Sequence, residues 1–360
     1  MKKTKVFVIA VLLLCLLVPF VLAGGKAEAE APMEERPAEE AVARPEPFDI
    51  GIFVPGVVAG SPLYEQMVAG AERAAAEFDH LSIKVLEAGF NQGEWEEKMM
   101  SLAATREYEL ILSSNGAMPF IAMPAAEAFP DQKFLIVDAI LPGHPQMFTL
   151  LYNQVEQAAV VGFLGGLITK SRMPGATPDL KIGLIAGQQY PAMDEMIVPG
   201  YARGAKEVDS RIEVDFRVLG NWYDANKAGD LANSMFDAGV DVIMTACGGA
   251  NQGVIQAAQD RGKYVLYFDD DHYELAPGTI VGCAALRQER AVFERVVEAV
   301  EGRLPYGEAV IVGVNDGYVD FVDTNPLYVD AVSPEVREQL AVMLDRIRNG
   351  DISLEVPKFW

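Results

Sequence analysis

From residue 48 onward, short apolar runs alternate with helix-period segments along almost the whole chain. Residues 48–55 (FDIGIFVP) and 180–187 (LKIGLIAG) are apolar runs that stop at or beside a glycine. Each leads into an Ala/Gly-rich segment, and helices are predicted over 67–78 and 199–208. The order then repeats: residues 109–116 (ELILSSNG) match 241–248 (DVIMTACG), and 133–138 (KFLIVD) match 263–269 (KYVLYFD). One strand–helix module is therefore present twice. Strands are predicted at 50–54, 82–86, 110–113 and 134–137, and again at 182–185, 213–218, 242–245 and 264–268. Such alternation predicts an α/β fold of two doubly wound parallel-sheet lobes. Runs 279–284 and 310–314 flank a predicted helix over 288–302 and are expected to carry the chain back into the first lobe. Lobe 1 is then 48–150 plus about 283–314, and lobe 2 is 151–282 plus about 315–360, joined by a hinge of several crossings. Paired lobes with a cleft between them are suited to closing on a small molecule.

The first 47 residues follow a different pattern. Lys2, Lys3 and Lys5 precede an apolar run over 6–22, and Val21, Leu22 and Ala23 stand before a Gly pair, which reads 1–23 as a secretory signal peptide. An uncleaved membrane anchor is the alternative for a run of this length. Cys15 raises lipidation as a third outcome, although Leu12, Leu13 and Leu14 before it match a lipoprotein signal poorly. Residues 24–47, acidic and rich in Pro and Ala, read as a disordered tether. The expected location is the periplasm or cell envelope, with membrane association through the N-terminus. With 29 basic against 52 acidic residues and a formal net charge of −23, nucleic acid and anionic lipid are poor partners. Beyond Cys15 only Cys247 and Cys283 remain, so there is no disulfide scaffold. Both are read as buried thiols, with one bridge between them as the alternative.

In parallel α/β sheets, ligands bind beyond the carboxyl ends of the strands. Here those loops are rich in Gly, Asn, Gln, Asp and aromatics and carry almost no Lys or Arg, which suits a neutral, flat, polar ligand. Trp222 offers a plane for stacking, with Tyr223 beside it; either could instead be wedged under a loop. Tyr64 follows Ser61, a plausible N-cap, and Pro62, and could form the opposing wall. Asp138 and Asp269 end equivalent strands, where they could accept from hydroxyl or N–H donors or serve as turn residues. Asn115 in the first lobe, and Gln188, Gln189, Tyr190 and Asn251 in the second, complete the candidates. Residues 248–252 (GGANQ) lack both GxGxxG and a following Lys, so nucleotide-dependent catalysis is not expected. A metal at 269–272 (DDDH) is set aside because consecutive residues rarely converge on one ion. No Ser-His-Asp set or paired acid/base emerges. The chain reads as a binder without a cofactor, and an exported enzyme or a surface adhesin are the competing classes.

Residues 241–249 (DVIMTACGG) followed by 262–270 (GKYVLYFDD) resemble the second-lobe signature of the basic membrane protein family, purine nucleoside receptor-like substrate-binding proteins of ABC importers. Residues 126–138 (AEAFPDQKFLIVD), 157–166 and 312–317 (VGVNDG) are similar too. The resemblance implies the type I periplasmic-binding-protein fold, a monomer, and an ABC permease with its ATPase as partners. It also implies stacking by Trp222 and a ribose-holding role for Asp269. Two family features are absent. A first-lobe Asp with a Ser-Phe-Asn block is replaced by 55–64 (PGVVAGSPLY), and a lysine expected after the next strand is replaced by 283–286 (CAAL). The first-lobe loop together with 247–253 (CGGANQG) resembles the riboflavin-binding branch described in spirochaetes. Riboflavin is therefore the expected transported ligand, with a purine nucleoside as the alternative.

Overall fold

The computed structural model describes residues 46–358, so the expected signal peptide over 1–23, Cys15 and most of the expected tether lie outside the described residues. The first lobe begins with β1 (Phe48–Val54), α1 (Pro62–Glu77), β2 (Leu81–Glu87), α2 (Trp95–Ala104), β3 (Leu110–Ser114), α3 (Met118–Ala128), β4 (Lys133–Val137) and β5 (Met147–Tyr152). The chain then crosses through α4 (Gln154–Lys170) into β6 (Lys181–Ala186), α5 (Val198–Val208), β7 (Glu213–Val218), α6 (Ala225–Asp237), β8 (Val240–Ala246), α7 (Asn251–Arg261), β9 (Tyr264–Asp269) and β10 (Ile280–Leu286). It returns for α8 (Gln288–Val300) and β11 (Ala309–Val312), and finishes in the second lobe with β12 (Val319–Phe321), α9 (Pro326–Ala331) and α10 (Pro334–Arg348).

The two sheets have the same layout. One runs β2-β1-β3-β4-β5-β11 and the other β7-β6-β8-β9-β10-β12. Every pairing is parallel except that of β12 with β10. This is the predicted α/β architecture, with one correction. The run expected to lead back into the first lobe is β10, which pairs along its length with β9 and so belongs to the second sheet. It is the counterpart of β5, and the crossing falls after Leu286.

Strand alternation divides the first-lobe core into two layers. Ile50, Ile52 and Val54 pack with Met67, Ala71 and Val292 under α1 and α8, while Phe53, Ile111, Phe134 and Ile136 pack with Met99 and Ala122 under α2 and α3. In the second lobe the central helix is α4, buried almost all round. It approaches α5 closely: a Cβ on Gly162 would overlap the carbonyl oxygen of Tyr201, and one on Gly204 would overlap that of Ala159. Gly204→Ala is therefore expected to destabilise the protein by about 1–3 kcal/mol, as overpacking against rigid backbone does. Denaturant unfolding measures it, and an unchanged midpoint would refute this packing.

Three strands of chain cross between the lobes, and they are tied to one another. The Asn153 amide N–H donates to Val312 O at 2.8 Å, Val314 N–H donates to the Glu156 carboxylate at 2.8 Å, and Arg287 N–H donates to Tyr318 O at 2.8 Å. Arg287 also pairs with Asp320. Among the described residues, no helix is long and apolar enough to cross a membrane.

Candidate functional site

The carboxyl ends of both sheets face one cleft, and three non-glycine residues there hold left-handed backbone. Asn115 follows β3 with φ 133°, Asp138 follows β4 with φ 53°, and Asp269 ends β9 with φ 84°. Such conformations cost about 1–3 kcal/mol each and persist where the surroundings impose them. Asn and Asp tolerate them better than other side chains, because a short polar group can bond locally. Asn115 does so, its Oδ1 accepting from Ala117 N–H at 2.9 Å.

Asp138 from the first lobe feels the charge of Asp269 from the second, Asp269 feels that of its neighbour Asp270, and no lysine or arginine offsets either. Burial, followed by the repulsion of Asp269, raises the Asp138 carboxyl to about 8. Burial raises Asp269 to about 7, although a hydrogen bond from Gln157 Nε2 at 3.1 Å works against the shift. Tyr64, Tyr152 and Tyr190 surround the pair. Burial is the main cause of their raised hydroxyl pKa values, and the charge of Asp138 adds to each. The Tyr64 hydroxyl donates to Pro55 O at 3.3 Å and lies within reach of the Asn115 amide. The Tyr152 hydroxyl is buried without a partner.

These raised values carry a sign. A carboxyl whose pKa is higher when the lobes are shut holds its proton there, so the shut form loses stability as pH rises from the ordinary carboxylate range through about 7 to 8. Ligand-free protein is therefore expected to shift toward an open form between pH 5 and pH 9, seen as a growing radius of gyration in small-angle scattering. Asp138→Asn should flatten the change, and a radius independent of pH would contradict the arrangement.

Aromatic rings form the walls. Trp222, in the loop between β7 and α6, lies against Gly187 at the end of β6, where any Cβ would overlap its ring. Tyr190 stands beside it, with centroids 6.2 Å apart. On the opposite side Gly56 fits between Tyr64 and Phe90, and a Cβ there would be 3.1 Å and 3.3 Å from the two rings. Phe90 meets Tyr223 of the other lobe at 5.4 Å between centroids, and a Cβ on Gly60 would stand 3.8 Å from Gly249 Cα. The lobes are in contact.

Of the sequence candidates, Trp222, Tyr64, Tyr190, Asp138, Asp269 and Asn115 therefore converge, and Tyr223 sits at the rim, 63% exposed. The others do not join them in the same way. Gln189 turns to Asp194, in the helical turn that follows within the same lobe, at 3.0 Å. Asn251 is taken up inside the second lobe, its Oδ1 accepting from Thr245 Oγ1 at 2.6 Å and Cys247 N–H at 2.8 Å. Ser61 begins α1 but makes no capping bond through its side chain; instead Glu65 accepts from Gly60 N–H at 2.8 Å. Gln188 is half-buried beside Gly187. In 269–272 the four side chains share no common point: Asp269 goes to Gln157, Asp271 accepts from Asn325, and His272, 3.7 Å from the Asp270 carboxylate, packs edge-on against Tyr267. Among the described residues no group of three or more His, Cys, Asp and Glu could hold a metal. Cys247 and Cys283 are separate buried thiols.

Residues 48–352 match the family described as "ABC transporter substrate-binding protein PnrA-like". The chain is 24% identical over 269 residues to the "ABC transporter nucleoside-binding protein BmpA" of Lactococcus lactis, covering 70% of this chain and 72% of that protein. It is 25% identical over 242 residues to "Basic membrane protein A" of Borreliella burgdorferi, covering 64% and 66%. Among solved structures, an ABC transporter solute-binding protein of Aeropyrum pernix superposes with a TM-score of 0.76 at 19% identity, covering 87% of this chain and 94% of that one. A solute-binding protein of Conexibacter woesei gives 0.61 at 16% identity, covering 86% and 99%. The structural likenesses agree with the two-lobed α/β architecture.

Proposed function

This chain belongs to the Bmp family of ABC transporter substrate-binding proteins, and from that premise we propose that its cleft takes a nucleoside-like ligand and presents it to a permease. The ligand is a flat heterocycle carrying several hydroxyl or N–H donors. The observation that carries this reading is the pair Asp138 and Asp269, one from each lobe, without a neighbouring cation and ringed by Tyr64, Tyr190 and Tyr152. Two half-buried carboxyl groups with no compensating charge favour a ligand that donates to both. Donors on the ligand satisfy the carboxylates only when both lobes reach them, so binding and closure are one event. Trp222, backed by Gly187, supplies the stacking face.

A purine nucleoside is the first choice within this class, supported by the name of the Lactococcus lactis relative. Riboflavin is the second, supported by the first-lobe loop. That loop carries no Lys or Arg, and Gly56 and Gly60, both at positive φ, put no side chain into it and leave room for a larger ring system. The protein acts outside the cytoplasm as a carrier, without catalysis or a cofactor of its own, and hands its closed form to a membrane permease driven by a separate ATPase. Mass spectrometry of the small molecule released on denaturing freshly purified protein tests the assignment. A nucleoside supports the first choice and riboflavin the second, while a sugar or an amino acid would overturn the class.

A further inference from the structure

Gln66 joins the ligand cleft to the hinge. It lies on α1 of the first lobe, and its Nε2 donates across the cleft to the carbonyl oxygen of Asp269 at 3.2 Å. The same amide acts on the carboxylate of Asp270, offsetting part of the rise that burial gives its pKa. Its Oε1 accepts from the N–H groups of Gln288 at 2.9 Å and Glu289 at 3.4 Å. Those are first-turn donors of α8, which have no partner within their own helix. Arg287, just before α8, carries the chain over from β10, so one side chain touches both lobes at a crossing.

Its first-lobe attachments are rigid. Gln288 is fully buried, and its Nε2 donates to Leu63 O at 2.6 Å and lies 3.2 Å from Ser114 Oγ. Gly70, one turn beyond Gln66, lets α1 and α8 touch, since a Cβ there would overlap the Glu289 carbonyl. When the lobes part, Gln66 must stay with α1 and α8 and release β9.

Resting on the reading of the cleft as the ligand site, we propose that Gln66 is a positioning residue: by holding the Asp269 peptide only when the lobes are shut, it couples ligand retention to closure. Asp269 needs such support because it combines a left-handed backbone, φ 84°, with a ligand-facing carboxylate. Gln157 fixes that carboxylate from within the second lobe, and Gln66 fixes the peptide from the first.

Two substitutions in the full chain separate this role from a structural one. Gln66→Glu keeps an acceptor for the α8 N–H groups but removes the donor and sets a carboxylate beside Asp269 and Asp270, whereas Gln66→Met removes both interactions. With inosine and riboflavin as probes, whichever binds the wild type is expected to bind Gln66→Glu roughly tenfold more weakly, the scale of one hydrogen bond at a charged site. The loss should come through faster dissociation, with the ligand-free melting temperature held at the wild-type value, while Gln66→Met lowers that temperature as well. Unchanged affinity and dissociation in Gln66→Glu would overturn the proposal. If the wild type binds neither probe, it is the nucleoside-like reading that fails. The bridge is then read by hydrogen exchange at the Asp270 amide: faster exchange in Gln66→Glu supports it, and equal exchange overturns it.

Discussion

Trp222→Ala is expected to weaken inosine binding by roughly 2–4 kcal/mol, the scale of an aromatic anchor at the centre of an interface. The half-buried ring lies on the backbone of Gly187 and beside Tyr190, so its removal leaves the second-lobe core intact. Ligand-free stability should therefore change little. Gly187→Ala provides a second route to the same outcome, because its methyl group would occupy the space of the Trp222 ring. Binding should fall in both variants although Gly187 offers the ligand no side chain. Isothermal titration calorimetry measures the effect, and wild-type affinity in Trp222→Ala would remove its assigned role.

Asp269→Asn should lower affinity by about 1.5–3 kcal/mol, the worth of hydrogen bonds to a charged acceptor. Asparagine is the informative replacement because it tolerates the φ of 84° nearly as well as aspartate, whereas alanine would add backbone strain to the lost contacts. The variant also removes one member of the carboxyl pair, so the remaining Asp138 should titrate closer to the ordinary carboxylate range. Equal affinity in the variant, with an unaltered pH profile, would show that no ligand donor reaches Asp269.

The sequence disclosed the duplicated module because β1, β3 and β4 have close counterparts in β6, β8 and β9, each ending in the same kind of loop. It hid the fifth strand of the first lobe. The run in β5 (MFTLLY) is short and lacks alternation, and without it the equivalence of β10 could not be seen, so the crossing was placed too early. Helix α4 was hidden for a related reason: it is buried on nearly every side and shows no polar stripe. At the site, aromatic and acidic residues at strand ends were legible because the fold rule places them there. Gln66, Gln157 and Phe90 were not. The two glutamines lie inside helices, where glutamine is ordinarily a solvent-facing residue, and Phe90 gains its meaning only from Tyr223 across the cleft. Asn251 and Gln189 show the converse, since their amides sit in cleft loops yet bond within their own lobe.

Calorimetric titration of inosine and riboflavin into unfolded, ligand-stripped and refolded protein tests the central claim most directly. Saturable one-to-one binding of inosine, with riboflavin as the weaker or absent competitor and loss of binding in Trp222→Ala, is the expected result. Protein that refolds to its original melting temperature and binds neither molecule would contradict a nucleoside-like cleft.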